Sequence, residues 1–396
     1  MSNLEKRVFR LNEICKIKSG KRIPKGMDYV TYQTSHPYIR ARDIKSGKIF
    51  TDDLIYIKDE VYKKIRKYII QKGDIAITVV GASVGDTGYA TESVDGYNLT
   101  ENAVRLTNFT EDVDSKFLHY VLMQKHYYDY MQLIAGAAAQ PKLGIYKIQK
   151  IRVVLPKVSI QKRIADILTT YDNLIENNNK RIKLLEQMAE NLYKEWFVRF
   201  RFPGYENVEF VGTLPIGWQY QSISESMDFF DSQRVPLSSM QRDEMEKIYP
   251  YYGAAKLMDY VDDYLFDGEY LLLGEDGTVV TTDGFPVLQL VNDKFWVNNH
   301  AHVIRGKGNI STRFLYLTFC RFPITGVVTG SAQPKISKGR LEKLKILVPD
   351  AITMEHFNNL INPMFDEINV LKKQLIRITK QRDMLLPRLM SGKLKV

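Results

Sequence analysis

Residues 140–156, QPKLGIYKIQKIRVVLP, recur later in the chain as QPKISKGRLEKLKILVP at residues 333–349. The two stretches align without a gap at an offset of 193 residues (333 − 140 = 193). Both begin with Gln-Pro-Lys, continue through a short basic stretch, and end in an alternating apolar run closed by Leu-Pro or Val-Pro. Self-similarity at a fixed period indicates a repeated structural unit. The 396-residue chain is therefore predicted to hold two copies of one plan.

A long helical pattern follows each copy. Seam positions recur every seven residues in the first pattern at Ile164, Tyr171, Asn178, Leu185 and Leu192, and in the second at Phe357, Met364, Leu371, Ile378 and Leu385. A repeat of seven is typical of a coiled-coil seam, whereas a helix on a globular domain has a wider apolar stripe. The pattern predicts two long helices that pair as an antiparallel coiled coil. Two independent surface helices are the alternative.

Three residues disturb these patterns. Asn178 and Arg181 interrupt the first seam, and polar seam residues commonly determine register and partner choice. Pro363 lies near the start of the second pattern and predicts a kink or a late start of that helix, because proline lacks the backbone donor of a helix interior.

The resulting order is globule, helix, globule, helix, with a pseudo-two-fold internal repeat. The predicted boundaries are 1–156 and 201–352 for the globules, and 157–200 and 353–396 for the helices. Short β-branched and aromatic runs bounded by Gly, Asp or Asn predict strands in both globules. These runs are Gly73–Val80, Tyr270–Leu273, Thr278–Thr282 and Phe295–Ile304. Helical spacing predicts helices at Ser115–Leu133 and Thr312–Cys320, so the fold class is α+β with mixed sheets.

The net charge of +10 is unevenly distributed. Residues 1–156 carry 25 basic and 17 acidic side chains (25 − 17 = +8). Residues 201–304 carry 6 and 17 (6 − 17 = −11), whereas residues 305–345 carry 9 and 1 (9 − 1 = +8). Such asymmetry is consistent with contact to a polyanion, and equally with an ordinary solvated surface.

Motifs that would support catalysis are missing from the sequence. It contains no Walker-type phosphate loop, no dinucleotide-binding glycine fingerprint and no Asn/Asp-Pro-Pro-Tyr/Phe methyltransferase tetrad. Only Cys15 and Cys320 are present, which excludes a disulfide framework and a multi-cysteine zinc site. The charged start MSNLEKRVFRLNE and the lack of a long apolar stretch lead us to expect a cytoplasmic protein without membrane contact.

A few stretches left a catalytic or ligand-binding interpretation open. His300 and His302 alternate with apolar residues, which favours one face of a strand over a metal site. The loop Gly81–Gly85 could hold a phosphate through its backbone N–H groups, although a turn is the simpler interpretation. The acidic pairs at 262–263 and 275–276 could bind a cation or could be solvated turns.

Several ordered stretches resemble the specificity (S) subunits of Type I restriction–modification systems. The matching stretches are KSGKRIP at 18–24, YIRARDI at 38–44, LYKEWF at 192–197 with FPG at 202–204, LPIGW at 214–218 and LPRLMSGK at 386–393. Together with the order of globules and helices, they cover almost the whole chain.

The resemblance implies a non-catalytic DNA-binding subunit. Each globule would be a target recognition domain that recognises one half of a bipartite, asymmetric site in double-stranded DNA through the major groove. The helices would set the spacer and dock two methyltransferase subunits, which modify adenine with S-adenosylmethionine. Restriction subunits, which use ATP and Mg, would join this core, and the chain itself would need no cofactor and no metal.

The residue types that bind DNA suggest specific contacts. Lys and Arg neutralise phosphates, and Arg, Gln, Asn or Ser can recognise base edges. In the first globule the candidates are Lys21, Arg22, Lys25, Arg40, Arg42, Lys45, Gln140 and Lys142, and in the second they are Arg234, Lys256, Arg305, Lys307, Gln333 and Lys335. Because the second globule opens with an acidic stretch in which Ile248–Gly253 is the only weak counterpart of Tyr38–Arg42, its DNA face is expected mainly from residue 305 onward.

Two other classes of function are alternatives. The chain could be a non-catalytic coiled-coil scaffold that binds protein partners, or a nuclease or methyltransferase with a divergent active site. Salt-dependent retention of DNA distinguishes a DNA-binding subunit from a scaffold.

Overall fold

The computed structural model describes residues 6–137, 139–330, 334–394 and 396. The chain divides into two compact units. The first unit comprises the chain up to Ile175 and from Arg377 onward, and the second comprises Glu176–Ile376. Each long helix therefore contributes residues to both units. The four-part division predicted from the sequence treats these helices as separate segments, and it stays a prediction.

The first unit is built around an antiparallel four-stranded sheet. Its strands, in spatial order, are Lys16–Ser19, Ala103–Thr107, Ile75–Thr78 and Thr87–Tyr89. The two inner strands are buried on both faces. Arg105 on one of them is therefore a buried cation that needs a partner. Its guanidinium donates to the buried Asp74 carboxylate at 2.7 Å.

Shorter elements surround this sheet. The strands Ile55–Tyr56, Pro37–Ile39 and Asn98–Leu99 form one small sheet; Arg7–Arg10 pairs with Arg152–Leu155, and Ile44–Lys45 with Lys48–Ile49. The helices are Leu11–Ile14, Asp59–Ile65, Ser115–Leu122, Lys125–Ala135 and Ile145–Gln149, with 3-10 turns at Ala41–Asp43 and Glu92–Val94. In Arg152–Leu155 the buried residues alternate with exposed ones, as expected of a strand with one face on the core.

The helix predicted at Ser115–Leu133 is two helices, so that prediction was wrong in its continuity. The Asp114 side chain accepts from the Phe117 N–H at 2.9 Å and caps the first helix. Gln124 then adopts an extended backbone (φ −63°, ψ 140°), which ends the first helical path before the second helix begins at Lys125. Apolar spacing continues across the break, which explains why the pattern alone did not show it.

The second unit contains a six-stranded sheet. Its strands, in spatial order, are Met227–Phe229, Ala301–Gly306, Phe266–Gly274, Leu288–Val297, Tyr249–Tyr252 and Leu257–Val261. Two-stranded ribbons pair Gln219–Ser222 with Lys345–Val348, Phe210–Val211 with Leu214–Pro215, and Val328–Thr329 with Lys335–Ile336. The helices are Ile223–Ser226, Ser239–Asp243, Thr312–Phe319 and Lys338–Leu341; a π-helix spans Lys194–Val198, and 3-10 turns span Tyr205–Asn207, Asp231–Gln233 and Thr325–Val327.

Two strand predictions in this unit were wrong. Thr278–Thr282 forms no strand; Val280 makes only an isolated bridge to Pro286. Phe295–Ile304 is divided between two strands by a turn, in which the Asn298 side chain accepts from the His300 N–H at 2.9 Å. His300 therefore lies in a turn and His302 in a strand, so the two histidines do not share one face of a strand.

The first long helix is Val158–Tyr193 and the second is Ala351–Ser391. Pro363 does not delay the second helix, contrary to the prediction of a late start. Asp350 caps that helix, because its side chain accepts from the N–H groups of Ile352 and Thr353, each at 3.0 Å. In the described part of the chain no helix is long and apolar enough to cross a membrane.

The long helices contact each other within each unit. In the second unit the Asn178 amide donates to the Gln374 side chain at 3.2 Å, and Arg181 pairs with Glu367. In the first unit the Arg382 guanidinium lies 2.8 Å from Asp172.

The predicted seam residues differ in burial. Ile164, Phe357, Leu371 and Asn178 are buried, whereas Tyr171, Leu185, Leu192, Met364, Ile378 and Leu385 are half-buried. The polar residues that interrupt the first seam thus make polar contacts to the second helix. Their predicted role in determining register stays a prediction.

Leu371 tests the contribution of this packing. Leu371→Ala removes a side chain that is 0% exposed in the core of the second unit, and we expect the free energy of unfolding to fall by about 2–5 kcal/mol. Val370→Ala is the matched control, because Val370 is adjacent and 49% exposed. Denaturant unfolding of both variants measures the difference. Equal stability of the two variants would contradict the assignment of Leu371 to the core.

Candidate nucleic-acid interface

Four of the predicted DNA-binding residues of the first unit line one concave surface. A cavity of about 520 Å³ is bordered by Arg22, Lys25, Arg40 and Arg42, together with polar and aromatic side chains. These neighbours include Tyr29, Tyr38, Thr100, Glu101 and Asp28. The sequence therefore predicted a set of cations that the fold brings together, and we name this surface the 22–42 cavity.

The loop that carries Arg22 and Lys25 is held by the sheet behind it. The Lys21 N–H donates to the Leu99 carbonyl at 2.8 Å, and the Tyr38 hydroxyl donates to the Lys21 carbonyl at 2.8 Å. Gly20 precedes the loop in close backbone contact, because a Cβ there would lie 2.0 Å from the Thr100 carbonyl oxygen. Only glycine permits this approach, so the loop is positioned by backbone contacts rather than by its own side chains.

The cations of the 22–42 cavity differ in their partners. Arg22 lies 3.0 Å from Glu101, and Arg42 lies 2.6 Å from Asp53. Arg40 forms a two-pronged pair with Asp43, with Nε to Oδ2 at 3.0 Å and Nη2 to Oδ1 at 2.8 Å. These hydrogen bonds raise the pKa of Arg40 above its usual value.

Burial separates the two neighbouring arginines. The side chain of Arg40 is 19% exposed, and its partner Asp43 is buried. The side chain of Arg42 is 64% exposed and pairs with an exposed carboxylate, an interaction that solvent and salt weaken. Arg40 therefore shapes the wall of the cavity, whereas Arg42 can exchange its partner for a phosphate or a base edge.

Lys45 lies apart from the cavity lining, on the hairpin formed by Ile44–Lys45 and Lys48–Ile49. It is exposed and lies close enough to Asp86 to act on that carboxylate. Burial raises the pKa of Asp86, and the charge of Lys45 opposes this increase.

The Gln-Pro-Lys segment of the first unit is bound to the loop at 79–81. The Gly81 N–H donates to the Pro141 carbonyl at 3.1 Å, the Leu143 N–H donates to the Val79 carbonyl at 2.9 Å, and Val80 bridges to Lys142. The side chains of Gln140 and Lys142 are exposed.

The same arrangement occurs in the second unit. The Gly277 N–H donates to the Pro334 carbonyl at 3.0 Å, the Ile336 N–H donates to the Glu275 carbonyl at 2.8 Å, and Asp276 bridges to Lys335. Gln333 lies outside the described residues. The sequence repeat thus corresponds to a repeated set of three backbone contacts.

The loop Gly81–Gly85 is a turn. The Val84 N–H donates to the Gly81 carbonyl, the Gly85 N–H to Thr78 and the Asp86 N–H to Ser83. Since these donors are satisfied within the chain, they do not form a phosphate cradle.

A charged network contacts Lys335 and Ile336 in the second unit. His302 is buried; its Nδ1 lies 2.6 Å from the Asp231 carboxylate and its Nε2 lies 2.9 Å from the Ile336 carbonyl. Both neighbours are acceptors, so each ring nitrogen of His302 faces an oxygen within hydrogen-bond distance. Arg234 donates to Glu275 at 2.7 Å and to the Ala301 carbonyl at 2.7 Å.

This network is better explained as an ion-pair cluster than as a metal site. The ligand atoms of Asp231, Glu275 and His302 lie within 4.8 Å of one another, which is compatible with a metal ion. However, the guanidinium of Arg234 already supplies positive charge to both carboxylates. Its side chain is only 12% exposed, so its predicted contact with DNA finds no support in the geometry.

The remaining candidates of the second unit are exposed. In the turn between two strands, the Gly253 N–H donates to the Lys256 carbonyl. Arg305 lies over the Tyr270 ring at 5.6 Å, Lys307 lies 3.8 Å from Asp228, and Lys335 lies 3.4 Å from Glu275. Sequence reasoning missed Asp231 and Glu275 as the partners of this region, because residues so far apart in the chain share no periodic signal.

The comparisons with known proteins identify the family. The sequence model described as the Type I restriction modification DNA specificity domain matches residues 3–187 and 215–372. The chain belongs to this family, which confirms the resemblance noted in the sequence.

Relatives support the same assignment. The Type I restriction enzyme MjaIX specificity subunit of Methanocaldococcus jannaschii is 27% identical over 363 residues, which cover 86% of this chain and 82% of that protein. A putative Type I restriction enzyme specificity subunit of Haemophilus influenzae is 31% identical over 131 residues, or 33% of each chain. The crystal structure of the Type I restriction–modification system S subunit from M. genitalium matches with a TM-score of 0.67 at 15% identity, covering 98% of this chain and 97% of that one, and so shows a shared fold.

The two neighbouring arginines should respond differently to truncation. Arg40→Ala removes both guanidinium hydrogen bonds to the buried Asp43, and we expect the free energy of unfolding to fall by about 1.5–3 kcal/mol. Arg42→Ala should change stability by less than about 0.5 kcal/mol and should weaken binding of duplex DNA. Thermal unfolding and a DNA titration of both variants test this. A destabilised Arg42→Ala protein would contradict the distinction.

The Asp231 network predicts a pH dependence. Burial favours the neutral form of Asp231, but the hydrogen bonds from His302 and Val303 and the charges of His302 and Arg234 outweigh it, so the pKa of Asp231 lies below its usual 3.8. The resulting stabilisation is present above that usual value and is lost as pH falls through the lowered pKa.

Asp231→Asn should therefore be less stable than wild type near neutral pH, and the difference should shrink as pH falls below 3.8. Urea unfolding midpoints measured across this range test it. Asp228→Asn is the control, because that carboxylate lies in the strand Met227–Phe229 just before Asp231 and its side chain is 54% exposed. A difference that does not vary with pH would remove Asp231 from the proposed charge network.

Proposed function

We propose that this chain is the DNA-recognition specificity subunit of a Type I restriction–modification complex, and that it performs no chemistry itself. The single observation that carries the proposal is the match of the DNA specificity family to both parts of the chain, residues 3–187 and 215–372. The 22–42 cavity supports it further, since it gathers cations that can bind phosphates or base edges.

Each unit would recognise one half of a bipartite, asymmetric site in double-stranded DNA. Pro141–Leu143 and Pro334–Ile336 have equal backbone contacts in the two units but different surroundings. In the first unit these residues lie beside an uncharged loop. In the second unit they contact His302 and Glu275. Recognition of two different half-sites requires this combination of the same backbone contacts with different side chains.

The long helices would pair as an antiparallel coiled coil that sets the spacer between the half-sites and docks two methyltransferase subunits. The contacts between them run in opposite order along the two helices: Asp172 with Arg382, Asn178 with Gln374, and Arg181 with Glu367. The repeated backbone contacts support the pseudo-two-fold internal repeat.

The partners would supply the chemistry. The methyltransferase subunits would modify adenine with S-adenosylmethionine, and the restriction subunits would use ATP and Mg. Cellular adenine methylation therefore tests the function directly. Cells that carry this gene with its partners should methylate adenine in a bipartite motif with a constant spacer, and deletion of the gene should abolish that methylation. An unchanged set of methylated sites after deletion of the gene would contradict the proposal.

The spacer offers a sharper prediction. Deleting residues 173–179 and 373–379 removes one facing heptad from each helix, which shortens the pair by about 10 Å at the helical rise of ~1.5 Å per residue. Since base pairs rise by about 3.4 Å, the methylated motif should lose about three base pairs of spacer. The half-sites should stay the same.

Deleting residues 173–179 alone is the control. It moves the remaining polar pairs out of register, so methylation should be lost rather than shifted. If the double deletion keeps the original spacing, the helices do not determine the spacer.

A further inference from the structure

A group of basic side chains lies outside the 22–42 cavity, at the end of the helix Asp59–Ile65. Lys63, Lys64, Arg66 and Lys67 are all exposed, and we name them the 63–67 surface. Among the described residues, no carboxylate oxygen lies within 4.0 Å of any of these four cations. The arginines of the cavity, in contrast, each have a carboxylate partner.

The 63–67 surface is joined rigidly to the loop that borders the cavity. The Leu99 N–H donates to the Tyr68 carbonyl at 2.9 Å, and the Leu99 carbonyl accepts from the Lys21 N–H at 2.8 Å. One strand residue therefore holds both segments. In addition, the Lys21 ammonium lies 5.6 Å from the centre of the Tyr68 ring.

The helix beneath the surface is anchored at its end. Val61 and Ile65 are each 1% exposed, and the Asn98 amide donates to the Ile65 carbonyl at 3.0 Å. The four cations are thus presented by a fixed support. Basic residues at a helix C-terminus also interact favourably with the helix dipole, and this interaction leaves the four charged side chains exposed.

We propose that the 63–67 surface binds the phosphate backbone of duplex DNA next to the half-site that the first unit recognises. This inference rests on the proposed function and extends the footprint of the first unit beyond the cavity. Cations that have no internal partner lose no ion pair when they meet phosphates, and long flexible lysines suit phosphates better than base edges. The surface therefore contributes affinity that does not depend on base sequence.

The test uses the full-length chain with Lys63→Gln, Lys64→Gln, Arg66→Gln and Lys67→Gln combined. Each phosphate contact contributes about 0.9 to the slope of log affinity against log salt concentration. We expect the quadruple variant to reduce the magnitude of this slope by about 2–4. It should weaken binding by the same factor on a duplex with the methylated motif and on an unrelated duplex, because the phosphates are the same.

A matched control removes four positive charges elsewhere on the first unit. Lys150→Gln, Arg152→Gln, Lys162→Gln and Arg163→Gln change exposed residues outside the 63–67 surface and the 22–42 cavity. Both variants should melt as wild type does, and the control should keep the wild-type slope. An equal change of slope in the two variants would mean that only net charge matters and would overturn the inference.

Two other outcomes are equally decisive. If the quadruple variant keeps the wild-type slope but no longer assembles with the methyltransferase subunits, the surface binds an acidic protein face instead of DNA. If the wild-type chain shows no salt-dependent DNA binding, the proposed function itself fails.

Discussion

Burial of long-helix side chains in the core of each unit is the interaction on which the rest of the structure depends. In the second unit, the Phe357 ring lies 4.7 Å from Phe197 and 5.5 Å from Trp196, and all three belong to one core. In the first unit, Leu168 and Leu389 lie in the core that also contains the sheet residues. Since each core draws on both long helices, neither unit is complete without segments that are distant in sequence.

This dependence explains why the helices carry polar seam residues without losing their pairing. Aromatic and aliphatic burial contributes most of the stabilisation. A contact such as Asn178 with Gln374 therefore needs only to satisfy the buried amide of Asn178; that it also favours one register stays a prediction. The proposed spacer function also needs a single register, because the helices set one spacer length only if they pair in one way.

The charged side chains fall into two classes according to their partners. Arg40, Arg105 and Arg234 are bound to carboxylates in poorly exposed positions and shape the protein. Arg42 and the 63–67 surface are exposed and can meet an external anion. The count of basic residues in a segment cannot make this distinction, since desolvation and pairing decide whether a cation stabilises the fold or binds a ligand.

Sequence patterns predicted the elements that depend on local periodicity. The two long helices and the helix near Thr312 all occur in the structure. The predictions failed where the backbone conformation at one position ends an element and changes the direction of the chain. Examples are the extended Gln124 between two helices and the turn before Ala301.

By itself, the sequence determined that the chain repeats one plan, that each repeat ends in a long heptad helix, and that it resembles the Type I specificity subunits. These features are local or repeated, so periodicity and motif spacing suffice to show them. Only the tertiary structure decided that Arg42 is exposed while Arg40 and Arg234 are held by carboxylates, and that His302 supports the Ile336 carbonyl. The physical reason is that burial and pairing arise between residues far apart in the chain, and no spacing rule encodes them.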